Sequence, residues 1–411
     1  MSRRRHAVTG MGAVTPIGIG VSRYWQSLLE GVGGTSYITR FDASRLPVRI
    51  AAEVKDFTAT DFLPAKLVRN TDLFMHYALV AAQEALAESR LEAEPGRLGI
   101  VVGTCFGGIS TLTETQAQFC ADPDLKISPH FVPKALGNIA AAQIAMAHGL
   151  RGPSLTVNTA CSSGADAVGL AAMLLQAGEA DAVVVVGAES ILCPVMVAGL
   201  FQARALSVRN EEPGKASRPF DLGRDGFVIG EGAGALVLED LERAGSRGAD
   251  IKAELLGYAS FTDGYHVTSP DPSGKGEALC MRRALAKAGL EPGSVDYVNA
   301  HGTSTKVGDQ VETTALKLVF GDHARRMPVS STKGATGHMV GAGGVTELIA
   351  CIQAIRKGKV PPTLNYEAPD PECDLDYVPN RPRDWDVQVA MSNSFGFGGQ
   401  NASVVVGKYR K

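Results

Sequence analysis

Short apolar runs alternate with longer helical patterns along the chain, and this alternation restricts the possible folds more than any other feature. The runs 98–103 (LGIVVG) and 182–187 (AVVVVG) contain only apolar residues and glycine. Similar strand-like runs occupy 233–238 and 295–299, and helical patterns occupy 73–90, 162–177, 275–289, 309–319 and 343–357. Continuous apolar strands that are separated by helices are typical of layered α/β proteins. The sequence therefore predicts an α/β fold.

The length of the chain, 411 residues, indicates two large units rather than one ordinary core. The strand, Cys161 and the helix after it have a faint counterpart in the strand–loop–helix units around 295–319 and 328–357. This similarity predicts two related halves that pack into one body. A polar connector lies at their junction, and the predicted halves are 1–249 and 250–411.

Composition and charge exclude several classes of protein. Apolar residues make up 45% of the chain, charged residues 20%, and the net charge is −3, which argues against a general nucleic-acid binder. The apolar stretch 7–19 after the basic N-terminus is interrupted by Gly10, Gly12 and Pro16. We therefore expect neither a signal peptide nor a membrane span there, and no membrane partner.

The cysteines are dispersed rather than paired. No CxxC occurs, and no His and Cys residues have the spacing of a zinc site, so no metal is predicted. An odd number of scattered thiols suits a reducing cytosol, and we expect a cytoplasmic protein. The seven cysteines are at positions 105, 120, 161, 193, 280, 351 and 373.

One of these cysteines stands where a strand pattern changes into a helix pattern. Residues 154–169 read SLTVNTACSSGADAVG, so Cys161 follows β-forming residues and precedes small residues. Free cysteines are often simply buried in a core. A thiol at a helix N-terminus, however, lies at the positive end of the helix dipole, which favours thiolate, and beside free backbone N–H groups. From this motif alone, Cys161 is either a core residue or a nucleophile.

Two further segments place histidine or lysine on small-residue loops at strand ends. Residues 299–305 read NAHGTST and include His301, and residues 330–344 read SSTKGATGHMVGAGG and include Lys333 and His338. A single histidine is more often a structural hydrogen-bonding residue than a catalyst. Three such residues on loops of this kind favour a site, because α/β proteins build sites on these loops.

A glycine-rich segment, SNSFGFGGQN at 392–401, lies between the last two strand patterns. It suits a turn between these strands, but two phenylalanines on such a loop also suit the gate of an apolar tunnel. It lacks the GxxxxGK[ST] pattern of a phosphate loop.

Taken together, these motifs resemble the β-ketoacyl-acyl-carrier-protein synthases, which are condensing enzymes of the thiolase fold. The resemblance runs nearly end to end and is greatest to the elongating type II synthase of bacterial fatty-acid synthesis. It implies two similar halves in a five-layer α-β-α-β-α sandwich. The motifs are VTGMGAVTPIG, TACSSG, RPFDLGRDGFVIGEGAGAL, NAHGTST, SSTKGATGH, PPTLN and SNSFGFGGQN.

The resemblance implies a decarboxylative Claisen condensation with malonyl-acyl-carrier protein. Cys161 would carry the acyl chain as a thioester, and His301 and His338 would stabilise the enolate formed on loss of CO2. Lys333 would orient the His338 loop, with Glu347 as its ionic partner. No cofactor is implied, because the substrates arrive on the phosphopantetheine of a carrier protein.

The resemblance also assigns residues around the reacting groups. The backbone N–H groups of Cys161 and Phe397 would form the oxyanion hole, and Phe395 would act as the gate. Thr303 and Thr305 would bind the pantetheine arm. The residues implied to line or adjoin the acyl pocket are Phe106, Phe201 and the segment 130–136.

Partners follow from the same resemblance. We expect an acyl carrier protein and a dimer, either a homodimer or a heterodimer with a chain-length-factor subunit, joined near residues 150–159. The basic positions expected to dock the carrier are Lys66, Arg69, Lys126 and Arg204, whereas Asn70 and Leu125 replace two others.

Some positions differ from the usual fatty-acid enzyme and keep a second pathway open. Lys306 replaces a common proline, Gln400 a threonine, and Phe106 a smaller aliphatic residue. The nucleophile loop, CSSGAD, is also frequent in polyketide synthases. The alternative is therefore the catalytic ketosynthase of a specialised type II polyketide or polyene pathway.

Three other functions compete with these two. A non-catalytic chain-length partner would lack the nucleophile, and a cysteine hydrolase would have no use for Lys333 or a second histidine. A biosynthetic thiolase would need a second catalytic cysteine, and neither Cys351 nor Cys373 lies in such a motif.

Overall fold

The computed structural model describes residues 4–410. The strands are β1 His6–Thr15, β2 Gly18–Ile19, β3 Ser36–Tyr37, β4 Ile50–Ala51, β5 Leu98–Gly103, β6 Ser154–Val157, β7 Ala182–Glu189, β8 Gly232–Asp240, β9 Ala253–Thr262, β10 Tyr297–Asn299, β11 Val329–Ser330, β12 Lys359–Val360, β13 Arg383–Asp384, β14 Val389–Gly396 and β15 Gln400–Gly407.

The helices are α1 Val21–Glu30, α2 Ala65–Asn70, α3 Leu73–Ser89, α4 Ile109–Ala121, α5 Phe131–Ala135, α6 Ile139–His148, α7 Ser163–Ala177, α8 Pro194–Gln202, α9 Leu241–Ser246, α10 Lys275–Ala288, α11 Lys306–Phe320, α12 Lys333–Thr336 and α13 Gly343–Lys357. Among these helices, none combines the length and apolar composition of a bilayer-spanning segment.

The main sheet repeats one strand order twice. Its first part runs β1-β8-β7-β5-β6 and its second part β9-β15-β14-β10-β11, which is the order 1-5-4-2-3 within each set of five. The pairing directions also match, since each set has two antiparallel pairs followed by two parallel pairs. A short antiparallel pairing of β1 with β9 joins the parts into one hydrogen-bonded sheet. The boundary between 249 and 250 stays a prediction.

Five layers result from how the helices cover this sheet. The α3 and α6 helices pack on the outer face of the first part, and α10 and α11 flank the second part, with α10 packed on β9 and β15. Both α7 and α13 contact strands of both parts, so they form the central layer. The burial of α13 along residues 343–355 agrees with this central position. The predicted five-layer α/β sandwich is confirmed.

The carboxyl ends of the parallel strands determine where a site can form. The strands β5, β6 and β7 run parallel in one part, as do β10, β11 and β14 in the other. Cys161 follows β6, His301 follows β10, and Lys333 and His338 follow β11. The central helices bring these two edges together, because a Cβ on Gly164 of α7 would lie only 2.7 Å from the oxygen of Gly341 before α13.

Candidate active site

Cys161 occupies a tight turn between β6 and α7, as the sequence predicts. The strand ends at Val157 and the helix begins at Ser163. Ala160 has φ +49°, in the left-handed region that non-glycine residues rarely adopt. The Ser162 hydroxyl donates to the carbonyl of Thr159 at 2.8 Å, which holds the turn closed. The turn exposes the Cys161 thiol to a cavity.

His338 is the histidine that contacts the thiol. Its Nε2 lies 3.1 Å from Sγ of Cys161. Its backbone is held on both sides, because its N–H donates to Val228 at 2.7 Å and its carbonyl accepts from Gly230 at 2.9 Å. The ring packs edge-on against Phe227, with 5.1 Å between ring centroids. Backbone and ring contacts therefore orient the imidazole toward the sulfur.

His301 is held by a buried carboxylate that sequence analysis did not single out. Glu312 on α11 accepts hydrogen bonds from the backbone N–H groups of His301 and Gly302, both at 2.8 Å. The ring of His301 lies 5.3 Å from that of His338, at nearly a right angle. One donor atom each from Cys161, His301 and His338 lies within 4.8 Å of the others.

Lys333 forms a buried ion pair beneath these groups. Its Nζ contacts Oε1 of Glu347, the partner that the sequence predicts, and both side chains are almost wholly buried. The Ser217 hydroxyl donates to the carbonyl of Lys333 at 2.6 Å. A buried charge that loses its partner is costly, so this pair constrains the segment leading to His338.

Burial dominates the protonation of the three groups. It lowers the pKa of both His301 and His338 well below the usual range, and the Lys333 charge acts in the same direction, so both rings are neutral at pH 7. Burial also raises the pKa of Cys161 to about 11, although backbone N–H groups of Phe397 and Cys161 and the Lys333 charge oppose it. The backbone N–H groups at the helix start favour the thiolate, in the direction that the motif predicts, but desolvation outweighs them.

The glycine-rich loop between β14 and β15 lies over the thiol. The backbone N–H groups of Phe397 and Cys161 lower the pKa of the Cys161 thiol, and they are the groups predicted to form the oxyanion hole. The ring of Phe395 lies 6.0 Å from that of His301, whereas Phe397 packs in the apolar cluster that includes Cys161. Both assigned roles stay predictions.

A cavity of about 470 Å³ leads to these groups. Thr303 and Thr305 line it, with their hydroxyls 3.0 Å apart. Phe106 also lines it and is 42% exposed, whereas Phe201 packs in the apolar cluster behind the wall and is not among the lining residues. The segment 130–136 is likewise absent from this lining.

The four predicted docking residues are all exposed. Arg204 lines the mouth of the cavity, and Lys66 and Arg69 lie on α2. Within residues 4–410, none of the four, Lys126 included, has an ion-pair partner. They are therefore available to an acidic surface.

Two other buried carboxylates, neither indicated by a motif, lie at the cavity or support the loop that lines it. Glu189 at the end of β7 accepts from the N–H groups of Cys105 at 2.7 Å and Phe106 at 3.1 Å, and so holds the loop after β5. Glu277 lines the cavity, and its Oε2 has no hydrogen-bond partner within residues 4–410. Burial, with repulsion from Glu312 and Asp263, raises the Glu277 pKa well above its usual range. No motif identified either residue, because both lie in ordinary strand or helix patterns.

Family models match almost the whole chain. A model of the β-ketoacyl synthase N-terminal domain matches residues 3–244, and one of the C-terminal domain matches residues 252–367. The chain belongs to the β-ketoacyl synthase family. The predicted family and enzyme class are thereby confirmed.

Whole-chain comparisons agree. This β-ketoacyl synthase is 46% identical over 413 residues to a 3-oxoacyl-[acyl-carrier-protein] synthase 2 of Synechocystis sp., covering 100% of this chain and 99% of the relative. It is also similar to the solved structure of a type II polyketide synthase acyl-carrier protein in complex with its ketosynthase, with a TM-score of 0.91, 32% identity and full coverage of both chains.

A second solved structure, the ishigamide ketosynthase/chain length factor, has a TM-score of 0.90 and 35% identity, with both chains fully covered. The fold of this β-ketoacyl synthase is therefore shared by relatives whose names point to different products.

Proposed function

We propose that this β-ketoacyl synthase condenses an acyl chain held on Cys161 with malonyl-acyl-carrier protein, giving β-ketoacyl-acyl-carrier protein and CO2. One observation carries the proposal: a thiol and two neutral imidazoles meet within 4.8 Å at the end of a cavity. A hydrolase would need only one of these rings.

Acyl transfer is the first step. The Cys161 sulfur attacks the carbonyl of the acyl thioester, and the carrier thiol leaves. The thiol proton passes through solvent to the departing thiolate, while the N–H at Nε2 of His338, 3.1 Å from Sγ, stabilises the sulfur as it ionises. The N–H groups of Cys161 and Phe397 stabilise the oxygen that becomes negative. A thiol whose pKa is about 11 needs such stabilisation to react at neutral pH.

Decarboxylation and bond formation follow. Loss of CO2 from the malonyl group leaves an enolate, whose oxygen accepts hydrogen bonds from the His301 and His338 rings. Its carbon attacks the acyl carbonyl, the new carbon–carbon bond forms, and the Cys161 thiolate leaves and recovers a proton from solvent. Neutral rings suit this role, because their N–H groups stabilise the charge without first transferring a proton.

The carrier protein binds at the cavity mouth. Its phosphopantetheine arm passes Thr303 and Thr305, and its acidic surface contacts Arg204, Lys66, Arg69 and Lys126. Attraction between exposed charges of this kind speeds the association of the carrier with the enzyme more than it tightens the complex. The enzyme uses no cofactor of its own in this scheme and acts in the cytoplasm, where acyl carrier proteins supply both substrates.

A reconstituted assay tests the proposal. Purified enzyme with acyl-acyl-carrier protein and malonyl-acyl-carrier protein is expected to release one CO2 for each β-ketoacyl product. Hydrolysis of the acyl carrier without carbon–carbon bond formation would contradict it.

Fatty-acid elongation is the pathway we favour, because the relative from Synechocystis sp. matches over its whole length at 46% identity. The polyketide alternative is favoured by the two solved ketosynthases and by Phe106 at the cavity wall. The acyl chains that the enzyme accepts distinguish the pathways.

Chain length is expected to depend on Phe106. A phenyl ring in the cavity wall leaves less room for a long saturated chain, and overfilling a packed interior costs about 1–3 kcal/mol. The wild type should therefore acylate Cys161 faster from short saturated carriers, or from flat unsaturated ones, than from long saturated ones. The Phe106→Ala variant should reduce this difference, as measured by competition and mass spectrometry.

Phe119→Ala is the matched control, since Phe119 is 40% exposed and lies outside the cavity lining. If the wild type already accepts long saturated chains as readily as short ones, and Phe106→Ala changes nothing, the ring does not limit chain length.

A dimer is expected to form at the free edge of β6. Within residues 4–410 this strand ends the sheet and pairs only with β5, and it has no charged residue, so its outer backbone groups are unprotected. Leu155 is 41% exposed, and Met146 and Met173 are also exposed. Light scattering at micromolar concentration should give twice the chain mass, and Leu155→Asp should shift the protein toward monomer. A monomeric wild type would refute this.

A further inference from the structure

We infer that Cys161, His301 and His338 also form a capture site for Zn²⁺ and related divalent cations, in which the bound metal blocks the enzyme. The metal would be an inhibitor held by the resting enzyme, not a cofactor. This inference goes beyond the proposed condensation reaction, and measurements of metal binding alone test it.

The donor set is the first argument. One thiolate and two imidazoles are ligands that zinc prefers, and three protein ligands leave a fourth position for water. His338 Nε2 already lies 3.1 Å from Cys161 Sγ, and one donor atom of His301 lies within 4.8 Å of both. All three side chains line one cavity, so an ion has a route to them.

The distances are the second argument. Zinc bonds of about 2.3 Å to sulfur and about 2.0–2.1 Å to nitrogen, at tetrahedral angles, separate the donors by roughly 3.3–3.6 Å. The pair at 3.1 Å must open by a few tenths of an ångström, and His301 must approach by little more than about 1 Å. Side-chain rotation within the cavity supplies such movements without displacing the strands.

The surroundings are the third argument. The Lys333 charge that would oppose a cation is paired with Glu347. Glu312 and Glu277 line the same cavity, and although burial raises the pKa of both, a bound cation would favour their charged forms. Support behind the ligands is incomplete, however, because Nδ1 of neither His301 nor His338 has a hydrogen-bond partner within residues 4–410. Such outer partners are typically worth 10–100-fold in affinity, so we expect weaker binding than at a structural zinc site.

Binding replaces bonds in a balanced way. The Cys161 thiol gives its proton to buffer, its sulfur forms a bond to zinc, and two imidazole nitrogens displace two more waters from the hydrated ion. The sulfur lone pair and both ring nitrogens are then occupied. The enzyme can therefore be neither acylated nor alkylated at Cys161 until the metal leaves.

The test uses the full-length enzyme, treated with chelator, and metal chlorides alone. Titration calorimetry with Zn²⁺ should give one site for each chain. Co²⁺ should give an absorption band from thiolate-to-metal charge transfer. Zn²⁺ should also slow alkylation of Cys161 by iodoacetamide.

Variants make the assignment specific. Cys161→Ala should abolish the Co²⁺ band, and His301→Ala and His338→Ala should each weaken Zn²⁺ binding at least 10-fold. Cys120→Ser, which removes an exposed distant thiol, should bind like the wild type. Enzyme alkylated at Cys161 before titration repeats the cysteine test without a mutation.

The inference is overturned if the wild type shows no site, or if the site survives both Cys161→Ala and alkylation. The metal titrations contain no carrier substrate. Their outcome is therefore independent of the condensation assay, and failure of the proposed function would not change the measured zinc binding.

Discussion

The Cys161→Ala variant is expected to form no β-ketoacyl product above the uncatalysed background. The acyl chain would lose its covalent acceptor, because Cys161 is the thiol that lies 3.1 Å from Nε2 of His338. Malonyl decarboxylation should persist, because the histidines that stabilise the enolate remain. The β-ketoacyl product and CO2 are measured in the same assay. CO2 release without product indicates a lost nucleophile, whereas loss of both indicates a misfolded protein.

Cys105→Ala is the matched control for this experiment. Cys105 lines the same cavity, but burial and the nearby Glu189 raise its pKa far above its usual range. We expect this variant to condense, because its thiol is not at the helix start. Condensation by purified Cys161→Ala would remove Cys161 from its proposed role.

Alanine at His301 or His338 should nearly abolish malonyl decarboxylation while leaving some acyl transfer to Cys161. Each substitution removes one N–H donor to the developing negative oxygen, a loss of typically about 10²–10³ in rate, or about 2.7–4 kcal/mol. Mass spectrometry of the acylated protein and CO2 release measure the two steps separately. Decarboxylation at the wild-type rate in either variant would show that the ring is not a donor.

The pH dependence gives a second test of the histidines. Burial lowers the pKa of both rings, so they stay neutral as pH falls through about 6.5, where an ordinary imidazole gains a proton. Wild-type decarboxylation should therefore show no step near pH 6.5. A step there would contradict this, because it would mean that a solvated ring is titrating.

The alternation of apolar runs and helical patterns was enough to predict the layers, because strands buried on both faces must be covered by helices. The buried strands β5 and β7 appear at the predicted positions, with β7 two residues longer than its run. The pairing of β1 with β9, which joins the two parts of the sheet, had no local signal. It depends on residues 6–8 and 253–255 meeting across the whole chain.

The groups that we propose to react could be named from motifs because each occupies a small-residue loop at a strand end. The carboxylates that hold these loops could not be named from motifs. Glu312 and Glu189 bind backbone N–H groups outside their own elements, at sequence separations of 11 and 84 residues, and their own segments look like a surface helix and a strand end. Such partners are identified only when the folded chain shows which buried N–H groups need an acceptor.

By itself, the sequence determined the fold class and the family, and it selected Cys161, His301, His338 and Lys333 as the candidate site residues. Local patterns and motifs encode these features. Only the tertiary structure decided the chemical state of these residues. It placed His338, rather than His301, in contact with the sulfur, and it surrounded the thiol at the cavity with enough protein that desolvation raises its pKa to about 11. Solvation is a property of everything that surrounds a group, and the walls of this cavity come from both parts of the sheet.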